Sequence, residues 1–345
     1  MADGDPVPGS LYIYAPNKAA PIVFAVAYAL SAIGHIWQCF RYKSWKIIGL
    51  HPLCAVLFTA GYALREYGAY NYIYTGNDVL IPFILSQVFI FVCPPLLELA
   101  NYHVLGRILY YVPYFAPLPP GRVLSTFGGL LALVEVLNAI GVALAANPSS
   151  AESQQKLGSQ LTLASIGIQL GVIVIFIVIA GIFHRRCIQA DVYAKAVSTP
   201  LITLYVSMTF IAIRSIYRLV EHVDNTAVNL DDPESLKTLS PLLRYEWFFY
   251  VFEATLMLLN SVLWNIWNPG RYLPRNYHVH LSQDGMTEIE GEEDSDDRPF
   301  LAKAAHIFTF GIFFRRKRSF QPTRDLNNAP TPDPQIELTH TRFRD

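Results

Sequence analysis

Arg214, Arg218 and Glu221 fall at i, i+4 and i+7 in the run Arg214-Ser215-Ile216-Tyr217-Arg218-Leu219-Val220-Glu221, so a helix places them on one face. The next apolar run carries Glu246 and Glu253, seven apart and again on one face, with Tyr217 and Tyr250 beside the charges. Such a set can lock two helices together as buried ion pairs, or it can line a cavity that receives a polar head group or a proton. Two arginines and three glutamates exceed what one helix contact needs. A charge at the centre of a bilayer costs about 2.5 to 3.5 kcal/mol on insertion scales, so it persists only with a partner or a watered cavity.

Depth sharpens the pairing. With the sixth apolar stretch leaving a membrane near Val223 and the seventh re-entering near Leu243, the helical rise puts Arg214 about 13 Å deep and Glu253 about 15 Å. Glu221 and Glu246 then lie near the outer surface. The expectation is a buried Arg214–Glu253 pair, with Arg218 between the inner and the outer acids. Weaker signals lie elsewhere. Glu98 and Glu135 lack an obvious basic partner and are expected to be protonated or to face water, because an uncompensated carboxylate is costly to bury. Gln169, Gln87, His35 and Gln38 are read singly as interhelical hydrogen bonds. Pro94-Pro95 is expected to kink its helix.

These residues need a frame of helices, and the chain supplies one. Seven apolar stretches, at about 21–40, 47–66, 79–100, 121–145, 161–183, 200–222 and 243–267, are each long enough to cross a hydrocarbon core of about 30 Å. Of the 345 residues 52% are hydrophobic and 15% charged, where a soluble chain carries nearer about a quarter. The fold expected is an all-α integral membrane protein of seven transmembrane helices over 21–270. A short extracellular segment (1–20) precedes it and a cytosolic tail (271–345) follows. Arg41, Lys43 and Lys46, then Arg107 and Arg122, then Arg185, Arg186 and Lys195, and eleven basic residues after 270, fall on one side. Lys18, Arg65, Lys156 and Lys237 fall on the other. The positive-inside rule then puts the N-terminus outside and the C-terminus in the cytosol. The first helix serves as an uncleaved signal, since residues 1–20 are polar and acidic. Cys39, Cys54, Cys93 and Cys187 sit in spans or at their cytosolic ends, so no disulfide is expected. Asn147-Pro148-Ser149 is no glycosylation acceptor because of its proline.

After Asn268-Pro269-Gly270 the character changes. Asp284 to Asp297 is too polar to offset the entropy of ordering and reads as disordered. Residues 300–318 are apolar and aromatic and close on Arg315, Arg316, Lys317 and Arg318. They read either as a helix on the anionic cytosolic leaflet or as a disordered segment with a basic trafficking signal. The net charge of −1 averages an apolar core with a charged tail, and nothing in it points to nucleic acid. No P-loop, H-E-x-x-H or G-x-S-x-G occurs, and His35 and His51 lack zinc spacing, so no enzyme, metal or cofactor is expected.

Arg214, Ser215, Tyr217, Arg218 and Glu221, followed by Glu246, Trp247, Tyr250, Phe252 and Glu253 and then Asn268-Pro269-Gly270, resemble the fungal lipid-translocating exporter family, the seven-helix proteins of aminocholesterol and sphingoid-base resistance. Tyr14-x-Pro16, Gly61-Tyr62-x-x-Arg65, Pro94, Tyr102-x-x-Leu105-Gly106-Arg107, Phe127, Gly141 and Gln169 extend the resemblance over about residues 12–272. The chain departs from the family pattern at its acids. Phe58 and Leu131 stand where acids are usual, Glu135 lies one turn beyond Leu131, and Glu98 replaces a small residue. Asn138 replaces a glutamine, Glu253 an aspartate and Asn268 a histidine. The resemblance implies movement of an amphipathic lipid, such as a sphingoid base, between leaflets or out of the cell, with membrane lipids as partners and a fungal plasma membrane as the setting. A cationic amine could then sit near Glu253 or Glu221, and a phosphate near Arg214 and Arg218. Seven helices with an outside N-terminus and a charged tail are equally the outline of a sensor acting through that tail. The sequence carries no signal of oligomeric state.

Overall fold

A computed structural model describes residues 7–145, 151–190, 195–223, 240–276, 279–282 and 288–290. The described residues are almost entirely helical. α1 (Ala20–Tyr42) starts where the Asn17 side chain accepts from the N–H groups of Ala19 and Ala20 and Pro21 sets the first turn. It stops where Lys43 takes a left-handed φ of 53° and returns its N–H to Cys39. A single turn, α2 (Trp45–Ile48), leads through Gly49 into α3 (Leu50–Tyr70). α4 (Asn77–Tyr111), α5 (Pro120–Ala145), α6 (Glu152–Gln189) and α7 (Lys195–Val223) follow. After the short α8 (Pro241–Arg244), the last span runs as α9 (Glu246–Phe249), a π turn over Tyr250–Thr255, and α10 (Leu256–Ile266).

α1 packs on α3 and α10, and α7 packs on α6 and α10, so the first and last helices close the bundle. α4 runs through it, against α3, α5 and α7. Crossings are tight where glycine removes a side chain: a Cβ on Gly141 of α5 would stand 2.8 Å from the Gly158 carbonyl of α6.

Polarity is distributed inside out. Leu30, Ile33 and Phe40 of α1 are 66%, 65% and 69% exposed, while Glu98, Arg107, Glu253 and Asn260 are fully buried. Six helical segments are long and apolar enough to cross a membrane: α1, α4, α5, Ser153–Gln189, α7 and Glu246–Arg271. The chain is therefore an integral, multi-pass membrane protein built from helices. α3, which corresponds to the second expected stretch, has the length but not the apolarity, because His51, Arg65 and Glu66 dilute it. It is enclosed by α1 and α4, which relieves it of facing lipid along its polar side.

Several elements outrun the hydropathy signal. α4 continues through Pro94 and Pro95 to Tyr111, and Arg107, expected in a loop, is buried in it. Its guanidinium donates to the carbonyls of Asn276 (3.0 Å), Pro274 and Val279 (both 3.4 Å). That grip explains a second departure. Glu288–Glu290, inside the stretch expected to be disordered, forms β2 paired antiparallel to β1 (Val279–Leu281). Leu281 is buried, and the Tyr111 hydroxyl donates to Glu288 at 2.8 Å. The 300–318 segment and the rest of the acidic run lie outside the described residues.

Candidate functional site

Arg214 and Glu253 meet as the depth argument requires. Arg214 Nε donates to both carboxylate oxygens of Glu253 at 2.9 Å, with Glu253 fully buried. The outer acid behaves differently from expectation. Glu246 is buried and pairs not with Arg218 but with Arg65 of α3, Nη2 to Oε1 at 2.9 Å. The π turn over Tyr250–Thr255, where the Thr255 hydroxyl donates to the Tyr250 carbonyl at 2.8 Å, breaks the 3.6-residue phase between the two acids. Glu246 consequently turns to α3 and Glu253 to α7.

The Arg65 site is closed on all sides. Its guanidinium also donates to the hydroxyls of Tyr14 (3.1 Å) and Tyr250 (3.3 Å) and lies over the rings of Phe249 (4.2 Å) and Tyr12 (4.9 Å). The second oxygen of Glu246 accepts from the Asn17 backbone at 2.6 Å. Burial pushes the Tyr14 phenol up to about 12, with Arg65 pulling the other way. Beneath this pair Tyr250, Phe24, Tyr62, Tyr28 and Phe58 stack ring on ring at centroid spacings of 4.5 to 5.5 Å. Phe58, at a position where the resembled family carries an acid, is part of that column.

The other flank of α7 is open. A cavity of about 390 Å³ lies between α4, α5, α6 and α7. Arg214, Arg218, Glu135 and Gln169 line it, joined by Gln87, Asn138, Ser215 and His222 and by the apolar side chains of Phe91, Pro95, Val134 and Ile166. Arg218 pairs with Glu221 one turn along its own helix at 2.6 Å and lies over the Phe91 ring at 4.3 Å. Arg214 thus stands with Glu253 on one side and the cavity on the other. Glu98 lies just behind the wall: Gln169 Nε2 donates to it at 2.8 Å and the Tyr102 hydroxyl donates to its other oxygen. Tyr102, Phe127 and Phe176 form an aromatic layer there, with centroids 5.0 to 5.4 Å apart.

The structure therefore divides the candidate residues between two places. Arg214, Arg218, Glu135 and Gln169 share the cavity, with Glu98 one hydrogen bond away. Glu246 and Tyr250 belong to the Arg65 site, and Tyr217 stacks on Phe252 at 5.4 Å. Sequence reasoning missed Arg65 as a partner, although Tyr14 and Gly61-Tyr62-x-x-Arg65 had been singled out; a motif arginine opposite a motif glutamate was the available signal. It also missed how the first and last spans join. Ser31, His35 and Gln38 of α1 bond Ser261, Asn265 and Asn268 over 2.6 to 3.2 Å. His35 and Gln38 make the interhelical hydrogen bonds expected of them, while their partners on the last span, serine and asparagine inside or after an apolar run, gave no sign of the seam.

A family model described as "RTA1 like protein" matches residues 52–276. The chain is 55% identical over 316 residues to "Lipid-translocating exporter-like protein RTA1" of Leptosphaeria maculans, covering 90% of this chain and 60% of that relative, so it spans less than two thirds of the relative's length. A protein of the same name from Ajellomyces capsulatus is 31% identical over 266 residues, 72% of this chain and 79% of the relative. "Probable lipid transporter atnI" of Emericella nidulans is 27% identical over 294 residues, 77% and 69% respectively. No solved structure matches the chain.

Proposed function

The chain belongs to the RTA1-like family, and from that premise we propose that it moves amphipathic lipids across the membrane, receiving the polar head group in the cavity between α4, α5, α6 and α7. The observation that carries this reading is the cavity itself. About 390 Å³ is within the size range of small-molecule sites, and its wall combines guanidiniums, a carboxylate and amides with apolar side chains that suit an acyl chain. The names of the relatives, exporters and a transporter of lipids, support the same reading.

In this proposal α3 is the second of seven spans, shielded from lipid along its polar side by its neighbours. The positive-inside count sets the N-terminus outside, so the cavity lies in the outer half, near the ends of α5 and α7 marked by Val142 and His222. The aromatic layer of Tyr102, Phe127 and Phe176 closes it from the cytosolic half. Residues 300–318, with their basic cluster, rest on the anionic cytosolic leaflet. The host membrane is the plasma membrane.

The test is the rate at which a fluorescent sphingoid base and a fluorescent lysophosphatidylcholine change leaflet in liposomes holding the full chain. Acceleration of either by the wild type, lost in an Arg214→Ala/Glu253→Gln double variant that remains folded, supports the proposal. No acceleration of either lipid by folded wild-type protein refutes it and favours a sensor that signals through its tail.

A further inference from the structure

Around the cavity, acids outnumber the guanidiniums. Arg214 is matched by Glu253 and Arg218 by Glu221. That leaves Glu135 in the wall and Glu98 behind it, two carboxyls beyond the two arginines. Glu135 has no hydrogen-bond partner among the described residues, and Glu98 has only the Tyr102 hydroxyl and the Gln169 amide. Neither donor carries charge. With every acid ionised the site would hold two uncompensated negative charges within a low-dielectric bundle, which is far costlier than binding a positive charge there.

The smallest positive charge that fits behind the wall is a proton. Glu98 is fully enclosed, so no ammonium group can replace the hydrogen bonds it already receives without dismantling Gln169 from the wall. The titratable and charged groups facing Glu98 are Tyr102 on α4, Glu135 on α5 and Arg214 on α7, while α6 contributes the neutral Gln169. His222 on α7 is the remaining titratable group of the wall, and its Nδ1 is already bonded to the Arg218 carbonyl at 2.9 Å. Ser215, also in the wall, has a buried hydroxyl without a partner among the described residues, as a site that admits water or a ligand would have.

We propose that Glu98 binds an exchangeable proton, reached from the cavity past Glu135 and Gln169, and that its uptake and release are coupled to the entry and exit of the lipid head group. The coupling half rests on the translocation reading above; the proton site does not. The proton adds to a carboxylate oxygen as an O–H bond; it is taken from cavity water while the cavity is open to one side of the membrane and released to water on the other side when the cavity opens there. No bond of the lipid is made or broken. The inference supplies the driving force that the translocation reading lacks, since a one-unit pH gradient is worth a factor of about ten per coupled proton.

Two readings on the full-length protein test it. Infrared difference spectra of the detergent-solubilised protein, taken as the pH is stepped, are expected to show a protonated-carboxyl stretch that titrates, disappears in Glu98→Gln and shifts its midpoint in Glu135→Gln. Glu135→Gln keeps the inference open to refutation even where Glu98→Gln fails to fold, because Glu135 faces the cavity and makes no hydrogen bond among the described residues. In liposomes clamped at zero potential, with protein-free rates subtracted, wild-type translocation of the fluorescent sphingoid base is expected to change about tenfold between opposite half-unit gradients, which lie about one unit apart. Glu98→Gln is expected to respond to neither. A carboxyl band untouched by both variants, equal wild-type rates under both gradients, or a response removed by His222→Asn but not by Glu98→Gln overturns the proposal. If no lipid moves at all, the translocation reading falls while the infrared band still decides the proton site.

Discussion

The last span presents two glutamates to two buried arginines, and the two pairs are built to different ends. Arg65 is 2% exposed and has its donors directed to Glu246, Tyr14 and Tyr250 with aromatic rings packed against its plane. Arg214 is 7% exposed and meets Glu253 through Nε, with a cavity on its other side. A guanidinium fully enclosed with its acceptors holds one geometry; one that borders a polar cavity can exchange partners with whatever enters it. The same chemical pair serves as a rivet in one place and as part of a wall in the other, and what surrounds it makes the difference.

The contrast can be broken from either side. Arg65→Ala leaves Glu246 buried without its cation and is expected to cost about 3 to 5 kcal/mol, seen as loss of folded protein on size-exclusion chromatography. Replacing Glu246 as well, in Arg65→Met/Glu246→Leu, should recover much of that loss. Arg214→Ala likewise strips the buried Glu253 of its cation, but the space it vacates opens onto the cavity and admits water to that carboxylate, so its stability cost should be nearer about 1 to 3 kcal/mol by thermal unfolding, while leaflet exchange falls to the protein-free rate. A result with the two costs reversed would show that the cavity side is the structural one. Tyr14→Phe removes one acceptor from Arg65 and is expected to cost about 1 kcal/mol. It also has a pH signature. A Tyr14 phenol held at about 12 keeps its proton in the folded state while the unfolded chain loses it near pH 10, so stability should fall as pH rises from 10 to 12. Tyr14→Phe should flatten part of that fall. Arg218→Ala breaks an i,i+3 pair at the rim and should change stability by no more than about 0.5 kcal/mol, with its effect confined to which head groups are moved.

Much of this was legible in the residues. Apolar runs located the long helices, and equal depths matched Arg214 to Glu253. The ends of the helices were not legible, because hydropathy fades at Asn101 and Arg107 while the backbone ladder of α4 continues, its polar side chains satisfied by buried partners. Arg65 was misplaced for a related reason: a basic residue at the end of an apolar run reads as solvent-facing until the partner across the bundle is seen. The cavity was invisible for a third. Its residues are spread over α4, α5, α6 and α7, and which flank of α7 stays open depends on packing that no single helix encodes. The π turn, which sends Glu246 and Glu253 to different neighbours, leaves no mark in the periodicity of the run.

The seam between the first and last spans has a consequence for how the molecule is made. Glu246 and Glu253, the partners of both arginines, and Ser261, Asn265 and Asn268, the partners of α1, all lie in the part of the membrane domain that the ribosome releases last. Until then Arg65 and Arg214 sit in the bilayer as uncompensated cations, and α1 has no partner for its polar stripe. Arrival of the last span is thus the event that switches the domain from a charged, open intermediate to a closed one. A nascent chain stalled before residue 246 would carry the marks of an unfinished protein for the cell's quality control to read.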